Sequence, residues 1–555
     1  MSEALERAIA CHRRGDLAGA RSAAEDGLRS NPADATLLHF LGMLESGAGN
    51  TGPAEEYLNR AREAAPNSLP IRISLARALH RLGRWESLLA LAPITAGPLA
   101  EELARLQADA LQRQGRWREA AELLRAQAQR NGGDPGLLAA AAAAFAEGAA
   151  YEEAEGAYRA VLAADPSFEP ALLGLAGLLE SLNRQSELGP VFAAAAVGGA
   201  RPEAIAFGEA LRQRDGGNPA EALVALGGAK SIIPPGTYYQ MRGDLLDRLG
   251  RSDEAFAAFR EMNEADAALQ PGLRSEGAEY RAQLARQLGE VLQSGATAAR
   301  DQRGSPAFLV GFPRSGTTLL DTFLMGHPDV QVHEERPFLD AAFAGPAGLP
   351  TQWTAEQLIE ARERYWNALG REGERAGALQ IDKSPLASGG AHLIHRLFPD
   401  APFLFALRHP CDVVLSCFIT RFRLNRGVGS FLDLRSAAEQ YDAVMRLWTA
   451  SRRTLPLRVH EVRYERLLAD PEQELRSVTE FLGLPFAPAM LDHRTTARER
   501  GLISTPSHAQ VAAPLSSRPS GRWRRYRAQL EEVLPILAPW CDHFGYTLDR
   551  QSTDG

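Results

Sequence analysis

The chain has 555 residues, too many for one hydrophobic core, so two or three domains are expected. Hydrophobic residues make up 45% and charged residues 23%, which suits soluble globular domains, and a formal net charge of -8 argues against nucleic acid as the main partner. No run approaches the roughly 18 uninterrupted apolar residues of a membrane span, so none is expected. The N-terminus, "MSEALERAIACHRRGD", lacks the basic start, apolar middle and cleavage site of a signal peptide, which makes the cytoplasm the expected compartment. Four cysteines without a C-x-x-C pair argue against a disulfide framework or zinc site.

The N-terminal half repeats itself. A small or turn-forming residue followed five positions later by Ala or Leu recurs as Gly15/Ala20, Gly49/Ala54, Gly83/Leu88, Gly115/Ala120, Ala149/Ala154, Asn183/Leu188, Gly217/Ala222 and Gly250/Ala255. Between these pairs lie helix-ending signals such as "SNPADA" and "AADPSFEP". The spacing is the period of tetratricopeptide helix-turn-helix repeats. About eight repeats are expected to stack into an all-α, right-handed solenoid over residues 1–290; a generic Ala-rich helical bundle is the alternative.

Composition then shifts. Residues 291–305, within and beside "SGATAARDQRGSP", read as a linker, and residues 549–555 as a tail. Over 306–548 apolar strand runs alternate with helical patterns: "AFLVGF" at 307–312, "PFLFALR" at 402–408 and "LRVHEVRYERL" at 457–467. That alternation predicts an α/β domain built on a parallel sheet with helices on both faces. Ligands on such sheets bind at the carboxyl ends of the strands.

"GFPRSGTT" (311–318) falls at such an end. Its glycines have the spacing of a phosphate-binding P-loop, but Thr317 stands where that loop has lysine. The backbone N–H groups of Ser315 to Thr318 would meet an anion at a helix N-terminus, Thr317 and Thr318 add hydroxyls, and Arg314 supplies charge. Without the lysine and a magnesium-holding carboxylate, a nucleoside triphosphate is a poor fit. No metal is expected, and a donor ending in a singly charged sulfuryl group fits better. In "RHPCDVVLS" (408–416), Arg408 at a strand end and Ser416 on the following helix can converge on one phosphate. The alternatives are a Gly/Ser/Thr turn without ligand and a surface ion pair at Arg408.

Together the two motifs resemble the sulfotransferase family that uses 3'-phosphoadenosine 5'-phosphosulfate. The resemblance covers about 305–548, implies a P-loop-like α/β domain, and includes "VRYERLLADPEQELRSVTEFLGLPF". It implies that Pro313, Arg314, Ser315, Gly316, Thr317 and Thr318 hold the 5'-phosphosulfate and that Arg408 and Ser416 hold the 3'-phosphate. Within that family the sequence is more similar to the tyrosylprotein sulfotransferases. Their loop is followed by the pattern seen here as "GHPDVQVHEERPFL", which puts Glu335 on the catalytic base. "IDKSPLA" puts Lys383 on a lysine near the bridging oxygen. "PSHAQVAAPLSSRPSGRWRRY" puts Ser507 on a catalytic serine and Arg522 on a phosphate-binding basic residue. Tyr464 falls on a tyrosine that contacts the nucleotide. The substrate-binding arginine two residues after the base is replaced by Pro337, with Arg336 the nearest candidate.

Sulfuryl transfer needs an in-line nucleophile, removal of its proton, and stabilisation of charge on the leaving phosphate. Glu335 would take the proton, and Lys383, Arg314 and Ser507 would stabilise the leaving group. The alternatives are that Glu334 and Glu335 form a solvated charge pair and that "RWRRYR" is a basic helix face. Three functions stay open: transfer to a peptide or protein, tyrosine included, captured by the repeats; transfer to a carbohydrate or small hydroxylated metabolite; and a nucleotide-binding scaffold without turnover. The oligomeric state is not legible in the sequence.

Overall fold

The structure, a computed structural model, describes residues 2–94, 97–182, 184–293, 303–345, 350–499 and 520–548. The chain divides into two compact units, Met1–Glu180 with Arg184–Arg201, and Ser181–Asn183 with Pro202–Gly555.

The first unit is a series of tetratricopeptide-type helix pairs, from Glu3–Arg13 with Leu17–Ser30 to Pro135–Glu147 with Tyr151–Ala164. The turn between paired helices requires a left-handed residue, which glycine adopts without steric cost. Gly15, Gly49, Gly83 and Gly115 turn there at φ 80, 81, 66 and 73. Ala149 does so at φ 61 despite its Cβ. Gly217 and Gly250 repeat the geometry in the second unit at φ 78 and 75, and Asn183 lies outside the described residues. The positions five residues after each turn, Ala20, Ala54, Leu88, Ala120, Ala154, Leu188, Ala222 and Ala255, are all at most 4% exposed.

The second unit opens with two more helix pairs, Pro202–Asp215 with Pro219–Gly228 and Pro235–Arg248 with Ser252–Leu269, and the long helix Leu273–Gln293. A five-stranded parallel sheet follows: β1 (Ala307–Gly311), β2 (Val330–Glu334), β3 (Leu379–Lys383), β4 (Pro402–Leu407) and β5 (Arg458–Arg463), in the order β2-β3-β1-β4-β5. β1 is central and the connection from β3 to β4 crosses it, so the strand order reverses there. Sequence pattern marked β1, β4 and β5. It did not mark β2 and β3, five-residue strands whose polar residues, Gln331, His333, Glu334, Gln380, Asp382 and Lys383, interrupt the apolar run.

Side chains alternate across the sheet, and both faces are buried. Phe308, Val310, Phe403, Phe405 and Leu407 point into one core, and Ala307, Leu309, Leu404 and Ala406 into the other. The first of these cores also contains Leu246, Ala255, Ala258, Phe259, Met262, Leu284 and Val291 from the preceding helices. Phe256 stacks on Phe418 with ring centroids 4.9 Å apart, and Gly277 and Gly429 lie so close that a Cβ on Gly277 would stand 2.8 Å from the backbone of Gly429. Among the described residues no helix is long and apolar enough to cross a membrane.

Two outcomes are expected. A left-handed alanine costs about 1–2 kcal/mol, so Ala149→Gly should stabilise the first unit by about 0.5–1 kcal/mol after the extra entropy of glycine, as measured by urea unfolding. Buried large-to-small losses cost about 2–5 kcal/mol each against a typical stability of about 5–15 kcal/mol. A chain cut to begin at Pro202 should therefore unfold cooperatively by circular dichroism, whereas one cut to begin at 291, stripped of Leu246, Phe259, Met262 and Leu284, should not.

Candidate active site

All the elements that carry candidate groups end at the carboxyl edge of the sheet, with the loop after β1 in the middle. A Cβ on Gly311 would stand 2.6 Å from the carbonyl oxygen of Ala406, so only glycine lets β1 leave the sheet beside β4. Arg314 is held at φ 70 and Gly316 at φ 99. Left-handed backbone at a non-glycine residue is the kind of strain that collects at ligand sites. The Ser315 hydroxyl donates to the Phe312 carbonyl at 2.7 Å and closes the turn. Thr317 and Thr318, both buried, then begin the helix Thr317–Met325, whose start has no side-chain cap, while the Ser315 N–H, expected to meet the anion, already donates to the Phe312 carbonyl at 3.1 Å. Pro313 precedes the turn, and its carbonyl accepts from the Cys417 thiol at 3.4 Å.

On the β4–β5 side, Arg408 and Ser416 are 5% and 8% exposed. Arg314 Nε donates to Ser416 Oγ at 3.0 Å, and Arg408 Nη1 donates to the Arg314 carbonyl at 3.1 Å. The Arg408 guanidinium lies 4.9 Å from the centre of the Tyr464 ring, and the same ring would stand 2.5 Å from a Cβ on Gly316. Burial, reinforced by the Arg408 cation and more weakly by Arg522, pushes the Arg314 pKa down to about 10. Arg314 thus lies buried beside the cations of Arg408 and Arg522.

Arg522 arrives there from far along the chain, and Asp412 fixes it. This carboxylate, 1% exposed, accepts from the backbone N–H of Gly521 at 2.6 Å and of Trp523 at 2.9 Å. Trp523 in turn stacks on His409, with ring centroids 4.9 Å apart. Sequence reasoning gave Asp412 no role, although its place inside "RHPCDVVLS" was the available signal. Among the described residues one trio could offer metal ligands, His409, Cys411 and Cys541. Both ring nitrogens of His409 already have partners, the Cys411 N–H at 3.2 Å and the Thr547 carbonyl at 3.2 Å.

On the β2–β3 side, Lys383 ends β3 fully buried. Its Nζ donates to Glu335 Oε1 at 2.7 Å and Glu334 Oε1 at 3.2 Å, and Asp321 Oδ2 is 3.9 Å away. Burial alone would lower its pKa, but the charges of Asp321, Glu335 and Glu334 outweigh burial and raise it. Glu335 is itself left-handed at φ 50 and its N–H donates to the Lys383 carbonyl at 2.8 Å. The glutamate side chain is 46% exposed while the lysine is at 0%, so the carboxylate is open to an incoming hydroxyl and the ammonium is not. Asp321, the lone charge in the apolar pattern "TTLLDTFL", was also missed by sequence reasoning.

The structure therefore gathers Pro313, Arg314, Ser315, Gly316, Thr317, Thr318, Arg408, Ser416, Tyr464 and Arg522 around one loop, and pairs Glu335 with Lys383 at the neighbouring strand ends. Ser507 lies outside the described residues. Arg336 is exposed and pairs with Glu372 at 3.1 Å.

The profile of the sulfotransferase family matches residues 306–488. Over 259 residues the chain is 31% identical to a putative protein-tyrosine sulfotransferase of Caenorhabditis briggsae, covering 44% of this chain and 91% of that protein. It is 28% identical over 271 residues to protein-tyrosine sulfotransferase A of Caenorhabditis elegans, covering 42% and 67%. An uncharacterized protein of Aquifex aeolicus is 28% identical over 249 residues, covering 42% of this chain and 32% of that one, so the match spans about a third of that relative's length. With its P-loop-like strand-turn-helix and parallel sheet, the chain belongs to the sulfotransferase family.

Buried donors that lose a charged acceptor cost about 1–3 kcal/mol each. Asp412→Ala, which orphans the Gly521 and Trp523 N–H groups, should lower stability by about 2–6 kcal/mol in chemical unfolding.

Proposed function

We propose that the protein is a cytoplasmic sulfotransferase that moves the sulfuryl group of 3'-phosphoadenosine 5'-phosphosulfate to a hydroxyl on a peptide or protein. The reading rests above all on the opposition of two charge environments at one sheet edge. Arg314, Arg408 and Arg522 converge beside Ser416 on one side, and an exposed carboxylate, Glu335, is paired with buried Lys383 on the other.

The residues fit such a donor. The Gly316 turn lets the Tyr464 ring pack against the loop, where a Cβ would strike it, and an anion would offset the crowding of the guanidinium groups. When bound, the donor supplies a sulfuryl group attached to a phosphate leaving group. The turn Pro313 to Thr318 holds the 5'-end through backbone N–H groups and threonine hydroxyls. Arg408, Ser416 and Arg522 would hold the 3'-phosphate, and Tyr464 would contact the nucleotide. Glu335 accepts the proton of the attacking hydroxyl and Arg314 meets charge that develops on the leaving oxygen; Lys383, assigned to that oxygen by resemblance, is buried against Glu335 and holds the carboxylate in place. Ser507 joins this set by resemblance.

A protein acceptor is supported by the helix pairs, since stacked repeats present extended surfaces for chain segments, and by relatives named as protein-tyrosine sulfotransferases. A second reading has its own observation. Pro337 stands at the start of the helix Phe338–Phe343 where the tyrosyl enzymes carry an arginine, and Arg336 is engaged with Glu372. A carbohydrate or small hydroxylated metabolite needs no such arginine. Radiolabelled donor incubated with the protein and a fractionated lysate separates the two: label in protein supports the first, label in glycan or small-molecule fractions the second, and no label anywhere leaves a nucleotide-binding scaffold.

The roles of single residues are tested by variants. Glu335→Gln should cut turnover by about 10² to 10⁴ with unchanged affinity for adenosine 3',5'-bisphosphate, and Arg408→Ala should abolish the thermal stabilisation given by that nucleotide. Equal loss of binding in Glu335→Gln would assign the glutamate to structure.

A further inference from the structure

Behind Arg522 stands a carboxylate from the helix pairs. Asp247 lies in the last turn of the helix Pro235–Arg248 and is 8% exposed. Its Oδ2 is 3.1 Å from Arg522 Nη2 and accepts from Arg525 Nη2 at 3.2 Å. Its Oδ1 accepts from the Tyr526 hydroxyl at 2.6 Å, and its backbone carbonyl accepts from Arg525 Nη1 at 3.1 Å. One acidic residue thus collects three side chains of the short turn Arg522–Tyr526. Arg522 Nε is buried and has no hydrogen-bond partner among the described residues.

The neighbouring helices grip the other half of the same cluster. Asn263 Nδ2 donates to the Phe418 carbonyl at 2.9 Å, and Gln240 Nε2 to the Ile419 carbonyl at 3.2 Å. Asp266 accepts from Arg421 Nε at 2.9 and 3.0 Å. These bonds fix the end of the helix Pro410–Phe418, which carries Ser416. The helices Pro235–Arg248 and Ser252–Leu269 therefore hold both segments that bring groups to the arginine cluster.

Arg522 stands close enough to Arg314 to be repelled by it, and a long flexible side chain without a tether would swing away into solvent. Asp247 offsets that repulsion from behind the guanidinium. We propose that Asp247 is a positioning residue that holds Arg522 for the 3'-phosphate of the donor, so that selectivity for a 3'-phosphorylated nucleotide is set by the last helix pair. The inference rests on reading the Arg408, Ser416 and Arg522 cluster as the donor's 3'-phosphate site.

Calorimetric titration of the full-length protein with adenosine 3',5'-bisphosphate and with adenosine 5'-monophosphate tests it. The wild-type protein should prefer the bisphosphate. Asp247→Asn keeps the shape and an oxygen for Tyr526 but removes the charge, and should reduce that preference about tenfold while leaving affinity for the monophosphate unchanged. Arg522→Gln should reduce it as much, and the double variant should lose no more than either alone. An unchanged preference in Asp247→Asn, or equal weakening toward both nucleotides, overturns the proposal; the latter is what a merely structural role would give. Should the wild-type protein show no preference, the donor-site reading itself fails and takes the proposal with it. A measurement that needs no variant guards against misfolding: in the wild-type protein the bisphosphate, and not the monophosphate, should slow amide hydrogen exchange across residues 240–250. Equal exchange with both nucleotides overturns the proposal as well.

Discussion

Gly311 leaves β1 with the Ala406 carbonyl 2.6 Å from where a Cβ would stand, and Gly316 turns at φ 99 with the Tyr464 ring 2.5 Å from where another would stand. These two contacts draw the end of β4 and the residue after β5 against one loop. Everything else at the edge is set by that closeness. Arg408 can reach the Arg314 carbonyl because β4 ends beside the turn, and Arg314 can reach Ser416 because the left-handed residue aims its side chain across to the helix after β4. A larger residue at either glycine would push the strands apart and separate the cations from the helix start. The strain at Arg314, φ 70, is sustained by hydrogen bonds at its backbone and side chain together.

The two halves of the edge solve opposite electrostatic problems. Around Ser416 the Arg314 guanidinium is buried beside the cations of Arg408 and Arg522, and the cost shows in its lowered pKa. Around Lys383 one fully buried ammonium faces three carboxylates, which keeps it charged in spite of burial. An isolated buried charge would be neutralised or expelled. The first half is therefore stabilised by gaining an anion, and the second already holds an excess of them. A negatively charged ligand arriving at the loop is drawn to the β4–β5 side, while Glu335, the most exposed member of the acidic set, stays available to a neutral hydroxyl.

Much of this was legible in the sequence, and the reason is local. The turn glycines show because a left-handed turn every 32 to 34 residues demands them, and Ala149 shows as an exception only because its neighbours in the series are glycine. β1, β4 and β5 show as apolar runs; β2 and β3 do not, because their polar residues belong to the site rather than to a core. Asp412 and Asp247 act on residues more than a hundred positions away, at Gly521, Trp523, Arg522 and Arg525. No periodicity records a contact of that kind. For the same reason the shift in composition near residue 294 marks where helices give way to strands, while the compact units divide at residues 201 and 202.

That division changes what the last helix pairs are for. Stacked repeats are stabilised by their neighbours, and the final one exposes an apolar face that must be capped. In the second unit the face formed by Leu246, Ala255, Ala258, Phe259 and Met262 is covered by the sheet-bearing core itself, with Leu284 and Val291 of the long helix between. The capping element is thus the sulfotransferase fold. Core packing is close to crystalline and transmits small displacements instead of absorbing them. A shift in the helix Pro235–Arg248 would move Asp247, and through it the turn Arg522–Tyr526, without passing through any flexible linker. The helices that precede the sheet are in this sense part of the site's own scaffold, and the groups they position are among the buried charges that the site depends on.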